Sequence, residues 1–266
     1  MIEILKKQKL AEKVYSFKLK APEIADKAQP GHFIMLRLHE NGERIPLTIS
    51  DQDKNSITVV VQAVGKTTIE LSKLKKGDKI LDLAGPLGNK SEIEKIGTVC
   101  LIAGGVGCAE IYPIAKAFKK KGNKVIVIFG VRNKKLLFLE KEFKKISDKV
   151  IICTDDGSKG KKGFVTDALK DLMRKIKLDL VMAVGPIPMM KAVANMTKDL
   201  VKTKVSLNSI MVDGIGMCGC CRVTVEDEIK FVCVDGPEFD AHKVNFDELQ
   251  KRNLMYEDKN HICRLE

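Results

Sequence analysis

The sequence predicts a β + α/β protein with three parts: an antiparallel β-barrel over residues 1–96, a parallel-sheet βαβ domain over 97–205, and a small cysteine-rich module with a polar tail over 206–266. Three observations predict this order. Short alternating strands come first, helices and strands then alternate, and four of the eight cysteines fall between residues 218 and 233. A chain of 266 residues has room for about two domains of ordinary size.

The first part is predicted from short strands with period-two alternation. The segments Val14–Leu19 and Phe33–Leu38 alternate apolar and polar residues, Ser56–Val64 is rich in β-branched residues, and Lys79–Leu83 follows a turn. Several strands of this kind at short spacing are typical of a small antiparallel barrel or sandwich.

The second part begins where the periodicity changes. Residues 98–103 form a short, wholly apolar run, which is typical of a strand buried on both faces of a parallel sheet. A glycine-rich turn and a helical pattern ending at Gly122 follow. The same alternation predicts strands at 124–129, 150–153 and 178–184 and helices at 136–146 and 165–175.

Composition excludes several classes of protein. The net charge is +12, but the lysines are spread along the chain, Trp is absent and aromatic residues make up only 5%. This composition disfavours nucleic-acid binding, which uses clustered charge and aromatic stacking, and favours a solvated basic surface that can dock an acidic protein. The sequence has no apolar run of membrane-spanning length and no signal peptide. A cytoplasmic protein is therefore expected.

The loop Gly104-Gly105-Val106-Gly107 is a candidate phosphate-binding turn between a strand and a helix. Glycines let the backbone approach a ligand, and a helix N-terminus favours negative charge. A plain structural turn explains the same residues equally well.

The cysteine cluster is a candidate metal or iron–sulfur site. Cys218 and Cys221 form a C-x-x-C pair, Cys233 supplies a third thiolate, and Asp213 stands where the plant-type [2Fe–2S] spacing has its first Cys. A zinc ribbon normally has two C-x-x-C pairs, and a redox C-x-x-C would not need Cys233. A [2Fe–2S] cluster held by three Cys and one Asp fits best, with Cys220 as the alternative to Asp213.

Five motifs follow one another along the chain: Arg44–Ser50, Gly65–Thr68, Gly104–Gly107, Gly185–Met190 and the cysteine cluster. In this order they resemble the ferredoxin–NADP⁺ reductase superfamily, and the resemblance covers the whole chain. Within it, the chain resembles the electron-transfer subunits typified by the dihydroorotate dehydrogenase iron–sulfur subunit. The Asp at the first ligand position is similar to the small subunit of electron-bifurcating NADH-dependent reduced ferredoxin:NADP⁺ oxidoreductase.

The resemblance implies which residues hold each cofactor. For FAD these are Arg44, Pro46, Leu47, Thr48, Val61, Gln62, Ala63, Gly65, Thr67 and Thr68. For the nicotinamide cofactor they are Gly104, Gly105, Val106, Gly107, Gly185 and Pro186, together with Asp155 and Asp156 at the adenosine ribose. A carboxylate there repels a 2′-phosphate, so NAD(H) is expected rather than NADP(H); an Asp-Asp-Gly turn is the structural alternative. The cluster ligands are Asp213, Cys218, Cys221 and Cys233.

The resemblance also implies a function. Electrons would pass between NAD(H), FAD and a [2Fe–2S] cluster, and no side chain beyond the cofactors would be catalytic. A larger flavin and iron–sulfur subunit would complete a heterodimer and reach ferredoxin. The alternatives are the electron-transfer subunit of an NAD-dependent dihydroorotate dehydrogenase and a non-catalytic zinc-binding interaction module.

Overall fold

The computed structural model describes residues 1–254 and divides the chain into two compact units. Of the described residues, the first unit contains Met1–Lys90, Asn208–Pro237 and 245–254, and the second contains Ser91–Leu207 and Glu238–Val244. By contacts, the cysteine-rich segment therefore groups with the N-terminal residues. The three-part division by function stays a prediction, and residues 255–266, including Cys263, lie outside the described residues.

The described residues form sixteen strands and eight α-helices. The strands are β1 Ile2–Ala11, β2 Val14–Lys20, β3 Phe33–Arg37, β4 Arg44–Gln52, β5 Ser56–Gln62, β6 Lys79–Ile80, β7 Asp82–Leu87, β8 Thr98–Gly104, β9 Lys124–Val131, β10 Lys149–Thr154, β11 Lys161–Lys162, β12 Leu180–Val184, β13 Thr203–Ser206, β14 Arg222–Val225, β15 Glu228–Phe231 and β16 Glu238–Asp240. The helices are α1 Pro22–Lys27, α2 Lys66–Lys73, α3 Cys108–Lys120, α4 Glu140–Ile146, α5 Val165–Met173, α6 Ile187–Thr197, α7 Val232–Asp235 and α8 Phe246–Leu254.

The first unit is built on a seven-stranded antiparallel sheet in the order β6-β1-β2-β5-β4-β3-β7. Alternate residues of these strands meet in one apolar core, where Phe17, Ile34 and Leu36 are fully buried. Helices α1 and α2 add Ile24 and Leu71 to the same core. The alternation of the sequence is the direct cause, because side chains along a strand point to opposite faces.

The second unit is built on a sheet in the order β11-β10-β9-β8-β12-β13-β16, parallel except for the edge strand β16. Every residue of β12 is buried, and so is every residue of β8 after Thr98. Strands covered on both faces have to be apolar throughout, which explains the uninterrupted runs in the sequence. The predicted antiparallel part followed by a parallel βαβ part is confirmed.

The structure differs from the sequence prediction at several boundaries. The helix predicted from residue 136 begins at Glu140, because Leu139 has a φ of +59° and left-handed backbone cannot continue a right-handed helix. The strand predicted at 79–83 is divided into β6 and β7. The pattern also missed α2, and it missed the antiparallel pairing of β16 with β13. Among residues 1–254, no helix is both long enough and apolar enough to cross a bilayer.

Asn123 is a buried polar residue that joins the chain segments before β8 and β9. Its Oδ1 accepts hydrogen bonds from the backbone N–H of Ile96 at 2.8 Å and of Gly97 at 3.1 Å. Its Nδ2 donates to the carbonyl oxygens of Glu94 at 2.8 Å and Phe118 at 3.0 Å. One side chain thus links the segment before β8 to helix α3 through four hydrogen bonds to the backbone.

We expect Asn123→Ala to lower the free energy of unfolding by about 3 kcal/mol, because the buried side chain and its four hydrogen bonds to the backbone are lost. Urea denaturation followed by circular dichroism measures the change. The matched control is Lys120→Ala on the exposed end of α3, which should stay within about 0.5 kcal/mol. Equal effects of the two substitutions would contradict the structural role of Asn123.

Candidate functional site

The cysteine loop, residues 212–221, is organised around the carboxylate of Asp213. Its Oδ1 accepts a hydrogen bond from the N–H of Ile215 at 2.8 Å, and its Oδ2 accepts one from the N–H of Cys218 at 2.5 Å. These bonds, of which the one from Ile215 has the largest effect, lower the pKa of Asp213. The carboxylate is therefore ionised at neutral pH and fixed beside the backbone of Cys218.

The other two predicted ligands form a second pair. The Sγ atoms of Cys221 and Cys233 lie 3.3 Å apart, and both residues are buried. Burial raises the pKa of Cys233 to about 12, with the Cys221 thiol as the next cause. Buried neighbouring thiols of this kind are stabilised as thiolates only when a cation is present.

The predicted ligands thus fall into two pairs, Asp213 with Cys218 and Cys221 with Cys233. A two-iron cluster with four protein ligands needs two ligands on each iron. In the described part of the chain, no three His, Cys, Asp or Glu side chains gather tightly enough for a single metal ion. The two pairs match the two ligands on each iron that a binuclear cluster requires. The assignment of these four residues stays a prediction.

Gly214 holds the cysteine loop against the antiparallel sheet. Its φ is +76°, and a Cβ added there would lie 2.5 Å from Cγ of Met35 and 3.2 Å from Leu87. Only glycine allows both the left-handed backbone and this close approach. Asn89 adds a second attachment, because its side chain donates to the carbonyl oxygen of Val234 at 3.1 Å.

The loop contacts the sheet face that carries the predicted flavin residues. Met35 pairs directly with Pro46, and Arg37 pairs with Arg44; opposite residues of an antiparallel pair share a face. By the alternation of β4, Thr48 lies on this face too, whereas Leu47 packs toward the apolar core. Met35 was missed by the sequence analysis, because nothing in a period-two pattern tells which face a later loop will cover.

Arg44 offers a cation on this face. Arg37, its cross-strand neighbour, is neutralised by Asp82, with Nη2 to Oδ2 at 2.6 Å. The Arg44 guanidinium is exposed, and two like charges on opposite strands repel each other. An anionic phosphate would compensate this charge through a bidentate pair.

The first turn of α2 is linked to the residue before Arg44. The hydroxyl of Thr67 donates to Oε2 of Glu43 at 2.7 Å. The hydroxyl of Thr68 accepts the N–H of Gly65 at 2.9 Å and donates to its carbonyl oxygen. Both hydroxyls predicted to bind phosphate are thus engaged within the chain, so α2 presents chiefly its first-turn N–H groups to an anion.

The remaining predicted flavin residues lie at the end of β5. Val61 is buried in the apolar core, so its side chain cannot contact a ligand at the surface. Gln62 is partly exposed, and Ala63 continues the strand with its N–H donating to the carbonyl oxygen of Lys13 at 2.8 Å. The structure therefore favours Gln62 over Val61 as a side-chain contact.

In the second unit, the predicted nicotinamide residues meet at the switch point of the sheet. Relative to β8 as its first strand, the order β10-β9-β8-β12-β13 is 3-2-1-4-5, and ligands of such sheets bind where the order reverses, at the carboxyl ends of the strands. Gly104 ends β8 and Gly185 follows β12. A Cβ on Gly185 would lie 2.9 Å from Cα of Gly104, and one on Gly107 would lie 2.7 Å from the carbonyl oxygen of Val184.

The two candidate ribose residues follow β10, and they differ in the hydrogen bonding of their side chains. Oδ1 of Asp156 accepts the N–H of Ser158 at 2.9 Å, and side-chain and backbone bonding to Ser158 lowers the pKa of Asp156. Asp156 thus stabilises its own turn. Asp155 is exposed, and among residues 1–254 no group bonds to its side chain. Asp155 is therefore the better candidate for a ribose contact, and Asp156 fits the structural alternative.

Two family models match the chain. The iron-sulfur cluster binding domain of dihydroorotate dehydrogenase B matches residues 208–245, and the oxidoreductase NAD-binding domain matches residues 101–195. The first match covers the cysteine loop with both ligand pairs, and the second covers Gly104–Gly107 and Gly185–Pro186.

Three similar proteins match nearly the full chain. The dihydroorotate dehydrogenase B (NAD(+)) electron transfer subunit homolog of Thermotoga maritima is 53% identical over 263 residues, which is 98% of this chain and 93% of that protein. The electron transfer subunit of Fusobacterium nucleatum is 36% identical over 90% of this chain and 95% of its own length. A solved structure of NADH-dependent reduced ferredoxin-NADP oxidoreductase is 52% identical, with a TM-score of 0.92 over 96% of this chain and 94% of that one.

We expect Gly107→Ala to cost about 3 kcal/mol of stability, because its φ of −57° suits alanine but the new methyl group would collide with the backbone of Val184. Gly105→Ala is the matched control. Its φ is +56° with open space around the Cβ position, so only a conformational cost of about 1 kcal/mol is expected. Urea denaturation measures both, and a larger loss for Gly105→Ala would contradict the steric explanation.

Proposed function

The chain belongs to the family of dihydroorotate dehydrogenase B electron transfer subunits, and we propose that it is the small, NAD(H)-linked subunit of an NADH-dependent reduced ferredoxin:NADP⁺ oxidoreductase. The sequence identity of 52% to the solved structure of that enzyme, over 96% of this chain, supports this assignment. FAD, NAD(H) and a [2Fe–2S] cluster are the proposed cofactors.

One observation carries the proposal. Within the first unit, Gly214 of the cysteine loop packs on Met35, and Met35 is the cross-strand partner of Pro46. Pro46 and Thr48, proposed to line a flavin, therefore share one face of one sheet with the loop that carries Asp213 and Cys218. Electron transfer needs redox groups that are held close together at a fixed separation. The packing of Gly214 on Met35 would fix the separation between the flavin and the cluster.

The chain's own residues would bind and orient the cofactors. When bound, FAD and NAD(H) supply hydride exchange and the cluster supplies one-electron transfer. Arg44 and the first turn of α2 would hold the flavin pyrophosphate. Gly104–Gly107 and Gly185 would admit the nicotinamide cofactor at the switch point, and the Asp155 carboxylate would accept the ribose hydroxyls.

The cluster would be held by Asp213 and Cys218 on one iron and by Cys221 and Cys233 on the other. Asp213 stands at the position of the first Cys in the plant-type spacing. Its carboxylate accepts the N–H groups of Ile215 and Cys218, which places it beside the backbone of a second proposed ligand. This placement supports Asp213 over Cys220 as the fourth ligand.

A partner subunit is supported by the surface of the same loop. Large apolar side chains are exposed there, with Met217 at 83% and Ile215 at 51%. Exposed apolar residues grouped at one site are typical of protein interfaces. A larger flavin and iron–sulfur subunit would cover them, and ferredoxin would be reached through that subunit. The thiols of Cys218, Cys220, Cys221 and Cys233 are not in disulfides, which supports a cytoplasmic location.

A second candidate is the electron-transfer subunit of an NAD-dependent dihydroorotate dehydrogenase. The names of the Thermotoga maritima and Fusobacterium nucleatum relatives favour it. Asp213 in place of a cysteine counts against it. The chain that co-purifies with this protein distinguishes the two, because only the dehydrogenase partner would oxidise dihydroorotate.

The central experiment is anaerobic reduction of the purified complex. We expect iron and acid-labile sulfide in the protein and bleaching of the flavin absorbance by NADH at a rate well above that by NADPH. In Asp155→Ser the preference for NADH should fall about tenfold, because the charge that repels a 2′-phosphate is gone. Stopped-flow absorbance measures both rates. A chain free of iron and of flavin, or one that carries zinc instead, would overturn the proposal.

Asp227→Ser is the control for that substitution, because Asp227 is an exposed carboxylate on the turn between β14 and β15. It should leave the ratio of the NADH and NADPH rates unchanged. An equal change in both variants would remove Asp155 from the ribose site.

We expect Asp213→Cys to retain two irons per chain but to shift the cluster's midpoint potential on the order of 100 mV, since a thiolate replaces a hard oxygen ligand. Redox titration monitored by electron paramagnetic resonance measures the shift. Cys220→Ser is the control and should keep the spectrum of the native protein. If Cys220→Ser changes the spectrum and Asp213→Cys does not, then Cys220 is the fourth ligand.

A further inference from the structure

A polar cleft lies in the first unit beside the cysteine loop. It is lined by Ser209, by Cys218 and Cys220, by Arg222 at the start of β14, and by the last turn of α8 with Arg252. Its volume is about 180 Å³, which is several times the ~30 Å³ that one water occupies in the liquid. Of the four proposed cluster ligands, only Cys218 is among its lining residues, so the cleft adjoins the proposed cluster site at Cys218.

The charge of the cleft is positive. Two arginines, Arg222 and Arg252, line it, and no Asp or Glu is among its lining residues within 1–254. Arg252 donates one hydrogen bond from Nη2 to the carbonyl oxygen of Cys220 at 3.2 Å. This bond fixes the side chain and leaves most of its five N–H donors for another acceptor.

The hydroxyl of Ser209 is an independent indication that the cleft binds a ligand. The residue is 5% exposed, and its hydroxyl is buried without a hydrogen-bond partner in the part of the chain that the structure describes. A buried hydroxyl without a partner is costly, and it is uncommon in folded proteins. Asn253 lines the same cleft and is held by its own bond to the carbonyl oxygen of Asn208 at 3.2 Å.

We propose that this cleft binds a small, doubly charged oxyanion of the phosphate class. Paired guanidinium groups with a hydroxyl donor are the side chains that bind such anions. A dianion bound there lies beside Cys218, one of the proposed cluster ligands. Its negative charge opposes the addition of an electron, so anion binding lowers the midpoint potential of the cluster. The site thereby connects the anion concentration to the proposed electron transfer.

The first test is isothermal titration calorimetry of inorganic phosphate into the full-length protein at low ionic strength. Saturable binding is expected, and it should weaken roughly tenfold to a hundredfold in Arg222→Gln and in Arg252→Gln, with a smaller loss in Ser209→Ala. Arg174→Gln, an exposed arginine after α5 in the second unit, is the matched control and should bind as the native chain does. Equal phosphate binding in all four variants would overturn the proposal.

The second test is a redox titration of the cluster with and without phosphate. A negative shift that saturates with the calorimetric affinity, and that is lost in Arg222→Gln, is expected. Chloride at the same ionic strength should not reproduce it; an equal shift with chloride would show general screening and overturn the specific site. The calorimetric result does not depend on iron, so a failure of the anion site is distinguishable from a failure of the proposed electron-transfer function.

Discussion

The contact between Gly214 and Met35 is the constraint on which the candidate redox site depends. It requires a left-handed residue without a side chain at the start of the cysteine loop and a buried methionine on the outer face of the sheet. Packing at this density tolerates almost no added volume. The loop therefore has one position on the sheet, and Asp213 and Cys218 are placed with it. Asn89 adds a second attachment through the carbonyl oxygen of Val234, the residue after Cys233.

In the second unit, close packing at glycines also fixes the position of loops. The approach of the loop after β8 to the loop after β12 leaves no room for a Cβ at Gly107 or Gly185. Because β8 and β12 are adjacent and parallel, both loops leave the same edge of the sheet. The glycines therefore have a structural role as well as a proposed binding role, and the two are compatible: the loops that pack without side chains also expose the backbone N–H groups that bind phosphate.

Electrostatics distinguishes residues that the sequence presents as equivalent. Arg37 and Arg44 are cross-strand partners, but Asp82 neutralises only Arg37. Asp155 and Asp156 are adjacent, but only Asp156 is used by its own turn. The four cysteines of the cluster also differ, because Cys221 and Cys233 are buried together while Cys218 is exposed. For the arginine pair and the aspartate pair, the side chain that has no partner among residues 1–254 is the one available to a ligand.

The sequence by itself determined the class and order of the elements, the glycine turns and the residue types at the candidate cluster, because hydrophobic periodicity and ligand spacing are local properties of the chain. It also indicated the family, through motifs such as Arg44–Ser50 whose order is specific. It did not reveal the left-handed residue Leu139 that delays α4, the antiparallel edge strand β16, or the packing of the cysteine loop on Met35. Only the tertiary structure decided these features. It also decided the cleft that Ser209, Arg222 and Arg252 line, where the Ser209 hydroxyl has no hydrogen-bond partner among residues 1–254. The physical reason is that each depends on contacts between residues far apart in the chain, whose energy no local pattern records.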